Sequence, residues 1–375
     1  AIFCILGKDG NGMGEMYHCP KCGQELRYKG LCWSCKAEQE RREVMAWTPE
    51  QIQEKLNGLI QHVERLEENS WDGDFLNLLH CHGICSPELA RAALKAEIYD
   101  PAELYYRAPE DVRDGLIQAL LETKDANIAG HLLCCLAMQG DDKALETLYE
   151  LEQNPRSWRK KLYVDPSVYA QCGGWTFDKA GKRRQLNFDT CIPLVKGDQA
   201  RDGTARIFRP RKDRCPVCGG RLSDFLVLDG RDERLRFLGI DGIFTATACL
   251  GCIPWASPSY SRFTLDGGST PIFPYEGGCE EAMEDEDVEQ MGDNPYVLAE
   301  EPAPLFYGAD WDETSTIGGF PFWIQDWEYT PCPDCGKPMK FLARLSWEML
   351  DFMEGNCYVE VCPECQVASM HHQQT

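Results

Sequence analysis

The period of apolar and polar positions changes several times along the chain, and each change marks a segment. From Thr48 the apolar residues Ile52, Leu56, Leu59, Ile60, Val63 and Leu66 recur at helical spacing and share one face. Thr48-Pro49-Glu50-Gln51 opens that run with the residues of a capping box and a proline at the first helical position. Ser86-Pro87-Glu88-Leu89 and Asp100-Pro101-Ala102-Glu103 repeat the start signal. Further helices are predicted over Pro109–Thr123, Asp125–Met138 and Asp142–Leu151, joined by turns such as Gln139-Gly140-Asp141. Helices of this length with brief connections read as a stack of α-hairpins over 46–155. The helical period ends around Asn154-Pro155-Arg156, and 156–213 reads as a mixed linker packed onto both neighbours. Near the C-terminus the period becomes two, and Met339–Leu345 and Cys357–Val361 alternate as half-buried strands do.

Cysteine spacing changes this picture. Twelve of the 21 cysteines form six Cys-x-x-Cys pairs, which group into three sets of four. Cys19/Cys22 with Cys32/Cys35 predicts an N-terminal zinc ribbon over 16–45, nine residues between the pairs being enough for a tight hairpin. Cys215/Cys218 with Cys249/Cys252, and Cys332/Cys335 with Cys362/Cys365, predict two zinc knuckle modules in a β-rich domain over 214–375. Disulfides could use the same cysteines, but paired knuckles in a chain of cytoplasmic character favour metal. In the two C-terminal sets a Cys-Pro-x-Cys-Gly start is followed in register by an apolar strand, so they read as an internal repeat. Three structural zinc ions are the cofactor expectation. Two further groups, His80/Cys81/His82/Cys85 and His131/Cys134/Cys135, lack knuckle spacing and read as packing residues, although Cys81 and Cys85 could share one helix face. Residues 1–15, rich in glycine, read as a leader before a natural start at Met16. The fold class expected is multidomain α+β: ribbon, helical stack, then the β-rich domain.

The stretch Gly318-Gly319-Phe320-Pro321-Phe322-Trp323-Ile324-Gln325-Asp326, the two following knuckles and the Gln373-Gln374-Thr375 end resemble the C-terminal part of YwqG-like bacterial proteins. The upstream helices look like the HEAT-type repeats that accompany this domain in some relatives. Members of that group often sit beside polymorphic toxins of the Rhs or contact-dependent kind. The resemblance therefore implies an immunity protein that binds and occludes an enzymatic toxin such as an ADP-ribosyltransferase. It supplies no catalytic residue. The alternative reading is a housekeeping zinc scaffold or adaptor without a toxin partner.

Charge bears on the partner. The chain carries a formal charge of −23, and between Arg262 and Lys337 eighteen Asp and Glu occur with no Lys or Arg. Nucleic-acid binding needs a net basic face to displace counterions, so a nucleic-acid partner is not expected. An acidic surface suits a basic protein instead. The contact residues proposed on this ground are Glu280, Glu281, Glu284 and Asp285, with Asp310, Trp311, Asp312 and Glu313, all within an acidic insert over 263–315. No apolar run reaches the ~18–20 residues that span a membrane, and Ala1–Leu6 is too short for a secretory core. The cytoplasm is the expected compartment. Pro331-Cys332-Pro333-Asp334-Cys335 matches half of a zinc deaminase signature, but no His-x-Glu accompanies it and Cys362 and Cys365 would close the coordination sphere. No enzymatic activity and no catalytic residue are expected.

Overall fold

The computed structural model describes residues 16–69, 72–255, 258–273, 277–279, 281–307, 314–347, 349 and 353–374. The leader over 1–15 and the contact residues Glu280, Asp310, Trp311, Asp312 and Glu313 lie outside the described residues. The chain divides into two units, 1–47 and 48–375.

In the first unit, β1 (Tyr17–His18) pairs antiparallel with β2 (Glu25–Leu26), and α1 (Trp33–Met45) follows. This revises the expected ribbon. The hairpin encloses the first knuckle rather than filling the gap between the pairs, and the second pair opens a helix. Cys32 is the N-cap of α1 and Cys35 lies in its first turn. The Cys32 side chain makes no cap hydrogen bond, and burial raises both the Cys32 and the Cys35 thiols.

The second unit begins with helices, most of them where the periodicity places them; the run expected through Leu66 breaks after Gln61, and the helix at Gly73–His82 is not among the expected ones. They are α2 (Pro49–Gln61), α3 (Arg65–Glu68), α4 (Gly73–His82), α5 (Pro87–Lys95), α6 (Glu110–Glu122), α7 (Ala126–Gln139) and α8 (Asp142–Gln153). The Thr48 capping box forms: Gln51 N–H donates to Thr48 Oγ1 at 3.3 Å, and Thr48 N–H donates to Gln51 Oε1 at 2.8 Å. The Asp100-Pro101 start gives only a short 3-10 turn, Ala102–Tyr105. Helix α4 stops at a left-handed Gly83, so Cys85 leaves the helix and cannot share a helical face with Cys81.

The segment expected as a linker supplies strands: β3 (Trp175–Phe177), β4 (Arg183–Gln185), β5 (Cys191–Lys196) and β6 (Ala205–Arg214). Then follow β7 (Arg221–Asp229), β8 (Ile243–Ala248), β9 (Ser259–Phe263), β10 (Ser269–Ile272), α9 (Asp285–Gly292) and β11 (Tyr296–Leu298). The last four are β12 (Thr316–Gly318), β13 (Lys340–Ser346), β14 (Asn356–Cys362) and β15 (Val367–Gln373). Eight strands form one antiparallel sheet in the order β10-β9-β15-β14-β13-β12-β5-β11, and β6-β7-β8 form a second. The acidic insert is thus woven into the fold by β10 and β11.

The two sheets face each other across a single core that includes Phe208, Phe225, Phe244, Leu342, Trp347, Val359 and Met370. Phe208 stacks on Trp347 with centroids 5.3 Å apart. The other face of the large sheet is also covered, so every residue of β14 is buried; the expected half-buried alternation does not hold. The cover is the 319–331 segment, which the helices back in turn. His80 meets Phe322 edge-on, Tyr169 packs against Trp327, and Tyr329 Oη donates to Asn187 Oδ1 at 2.6 Å.

Candidate metal centres

Each predicted set of four cysteines comes together: Cys19/Cys22/Cys32/Cys35 (cluster 1), Cys215/Cys218/Cys249/Cys252 (cluster 2) and Cys332/Cys335/Cys362/Cys365 (cluster 3). Within each cluster the four sulfurs lie within 4.8 Å of one another. A tetrahedral ion with metal–sulfur bonds of about 2.3 Å sets its sulfurs about 3.8 Å apart. The separations are 3.5 Å for Cys22–Cys32, 3.9 Å for Cys215–Cys252, 3.5 Å for Cys218–Cys249 and 3.9 Å for Cys335–Cys362. A disulfide needs about 2.05 Å, so these are free thiols at the spacing of a metal cage. Four thiolates are the donor set that suits zinc or an iron–sulfur centre.

The same turn builds all three knuckles. The residue after the second cysteine is Gly23, Gly219 or Gly336, with φ of 82°, 79° and 70°. Its N–H donates to the carbonyl of the first cysteine at 2.8 Å in every case. The first cysteine's own N–H closes the turn on Gln24, Gly220 or Lys337 at 2.8, 2.7 and 2.9 Å. In cluster 2 the next amide, Gly220 N–H, donates to Cys218 Sγ at 3.4 Å. A Cβ on any of these three glycines would meet nothing within 4 Å; backbone conformation alone demands glycine. Gly336→Ala should therefore lower stability by about 1–2 kcal/mol while metal content stays unchanged. Urea unfolding beside elemental analysis checks this.

Electrostatics acts unevenly on the sulfurs: burial raises Cys35 to about 12 and Cys215 and Cys365 to about 11, while others are lowered. Burial opposes ionisation of Cys19, but hydrogen bonds from the backbone of Cys32, Cys22 and Lys21 outweigh it and bring the thiol down to about 6. A hydrogen bond from Cys249, helped by the Cys279 amide, lowers Cys252 to about 5. Its partner Cys249 is pushed up, so the pair shares one proton that a metal would replace. The amide of Lys337 is the main cause lowering Cys335. Clusters 2 and 3 close the ends of matching hairpins: β7–β8 joins Cys218 to Cys249, and β13–β14 joins Cys335 to Cys362. Arg262 clamps Asp334 beside cluster 3 with bonds of 2.8 and 3.2 Å.

The other cysteine–histidine groups do not assemble a metal cage among the described residues. Cys135 donates to the Tyr99 carbonyl at 3.1 Å, and Cys134 lies beside Cys172.

Of the described acidic contact residues, Glu281 and Glu284 are exposed. Asp285 starts α9 and takes a two-pronged bond from Arg214 at 2.8 and 2.7 Å. Glu289 on the same helix is bound by Arg221. The basic bias of the middle region is thus partly neutralised within the fold; Arg209 and Arg211 likewise share the buried Asp224 at 2.6 and 2.9 Å.

One group had no motif to announce it. On the covered face of the large sheet Glu360 is fully buried, and Thr330 N–H and Ser369 Oγ donate to its Oε2 at 2.8 and 3.2 Å. Burial pushes its carboxyl up to about 8. Beside it His371 stacks on Tyr358 and Trp323, and burial holds it down near 3. The only hint in the sequence is an acidic residue in the middle of an otherwise apolar strand.

No family model matches the chain, and no solved structure matches it. A Salmonella typhimurium protein bearing the name uncharacterized protein YpfL is similar: 29% identical over 335 residues, covering 84% of this chain and 76% of that protein. No described helix is long and apolar enough to cross a membrane.

Proposed function

We propose that the chain is a zinc-stapled binding protein of the cytoplasm, and that it acts as an immunity protein by covering the active site of a cognate polymorphic toxin. The observation that carries the binding reading is the set of three Cys4 clusters. With all four positions taken by protein thiolates, a bound zinc has no open position for water or substrate, so its role is structural. The toxin as partner rests on the resemblance to YwqG-like proteins and on the acidic stretch. On the described surface that stretch leaves Glu281, Glu284, Glu286 and Asp287 exposed around the start of α9. Next to them cluster 2 fixes the loop, since Gly220 stands against Ala282 and Met283. Acids held this way attract a basic protein surface and speed its association.

The test begins with capture of partners by the purified full chain and their identification by mass spectrometry. A basic toxin domain is expected, with association about tenfold slower at low salt for a Glu281→Gln, Glu284→Gln, Glu286→Gln, Asp287→Asn variant. A toxin bound at an unchanged rate moves the contact off this surface. Capture of no toxin in a cell that carries one leaves the scaffold reading in its place.

A further inference from the structure

Cluster 2 differs from the other two by a fifth cysteine. Cys279, on the loop before α9, packs against the cluster, and its thiol lies close enough to the Cys218 and Cys252 sulfurs to interact with them. Its Sγ donates to the Glu281 carbonyl at 2.7 Å. Two glycines flank this approach, and Gly278, with φ of 128°, is the one it requires. A Cβ at Gly251 would stand 3.4 Å from Cys279 Sγ, and one at Gly278 would stand 2.8 Å from Val217 and 3.5 Å from Cys252 Sγ. Cys279 thus packs into the same small cluster as the four ligands. Among the described residues, the groups packed around clusters 1 and 3 hold no cysteine beyond their own ligands.

A metal takes four of the five thiols and leaves one in contact with its ligands. Access decides which ligand is vulnerable. Cys215, Cys249 and Cys252 are buried, whereas Cys218 and Cys279 are both half-exposed. We propose that cluster 2 is a reversible oxidative modification site, at which a hydroperoxide links Cys218 to Cys279 and frees the metal. In the first step the Cys218 thiolate attacks a peroxide oxygen; the O–O bond breaks, Cys218 becomes a sulfenic acid and hydroxide departs. In the second the Cys279 sulfur displaces the sulfenic oxygen, which takes the Cys279 proton and leaves as water. The two sulfurs give up two electrons together, and the peroxide accepts both. Zinc is left with three ligands and dissociates, and reduction of the disulfide by a thiol restores the cage.

The inference rests on the zinc reading of the cluster, and the experiment separates the two. The zinc-loaded full chain is treated with hydrogen peroxide; released zinc is followed with a chromogenic chelator, and disulfides are mapped by peptide mass spectrometry. One of three zinc ions should leave first, together with a Cys218–Cys279 linkage, and dithiothreitol with added zinc should reverse both. Cys279→Ser and Cys279→Ala should keep three zinc ions yet release that ion about tenfold more slowly. Release at the wild-type rate in both variants overturns the proposal, as does a linkage confined to Cys218–Cys249. A chain that carries no metal at cluster 2 before treatment overturns the zinc reading itself.

Discussion

Cys332→Ser should reduce the metal content of the chain from three zinc ions to two and lower the stability of the 48–375 unit by on the order of 5–10 kcal/mol. The size of the effect follows from where cluster 3 sits. It ties the start of β13 to the end of β14, the two central strands of the large sheet, and its sulfurs pack with Met339 and Val367. Serine leaves three thiols that no longer hold an ion together, so the two strand ends lose their staple and the binding free energy that came with it. Elemental analysis and urea unfolding of the two proteins make the comparison, with Cys172→Ser as the control. Retention of three zinc ions, or an unchanged urea midpoint, would refute the assignment. Chelator added at a urea concentration just below the wild-type midpoint should unfold the wild type as the substitution does.

Glu360→Gln should make the protein more stable at pH 8, by on the order of a few kcal/mol, and change little at pH 4.5. Burial raises the folded-state carboxyl to about 8 from its ordinary value near 4.5. Between those limits the unfolded chain loses a proton that the folded chain keeps, so wild-type stability falls as pH rises. His371 works in the opposite sense. Burial, with His372 as a smaller cause, lowers it to about 3, so the unfolded chain binds a proton below about 6.5 that the folded chain refuses. Stability from that source is lost as pH falls through 6.5 toward 3. The two slopes overlap and cancel between about 4.5 and 6.5. Unfolding of wild type and Glu360→Gln across pH 4.5 to 8.5 isolates the glutamate. A stability difference that stays flat over this range would show that Glu360 is ionised in the folded state.

The cysteine clusters were legible because a knuckle is a local object: two cysteines, a proline and a glycine at fixed offsets specify the turn. Most of the helices from Pro49 to Gln153 were legible because period and capping residues agree, as at Thr48 and Ser86, whose Oγ accepts the Leu89 N–H at 3.2 Å. Distance in sequence hid the rest. Nothing near Asp285 indicates that Arg214 will neutralise it, and Glu360 reads as an exposed strand residue until the 319–331 segment covers it. The helix at Trp33–Met45 was missed for another reason: its one apolar stripe is weak, and the helix start is set by Cys32 and Cys35 holding the first turn. β5 escaped because six residues between turns carry too little pattern to separate a sheet strand from a linker.

The strand order also governs how quickly the structure can be reached. β12 lies beside β5, pairing Ile317 with Ile192, and β15 lies beside β9, pairing Val367 with Arg262. Such ladders close loops of more than a hundred residues, and the entropy of closure must be met before the contacts reward it. The hairpins β7–β8 and β13–β14 need only short loops, and each can take up its metal as soon as its second cysteine pair is made. Metal capture should therefore precede assembly of the large sheet, and the rate of refolding should depend on zinc concentration long before the final structure does. In a cell short of zinc the protein would fail through its kinetics, with unpaired edges of β9 and β12 open to aggregation while the sheet waits for its distant partners.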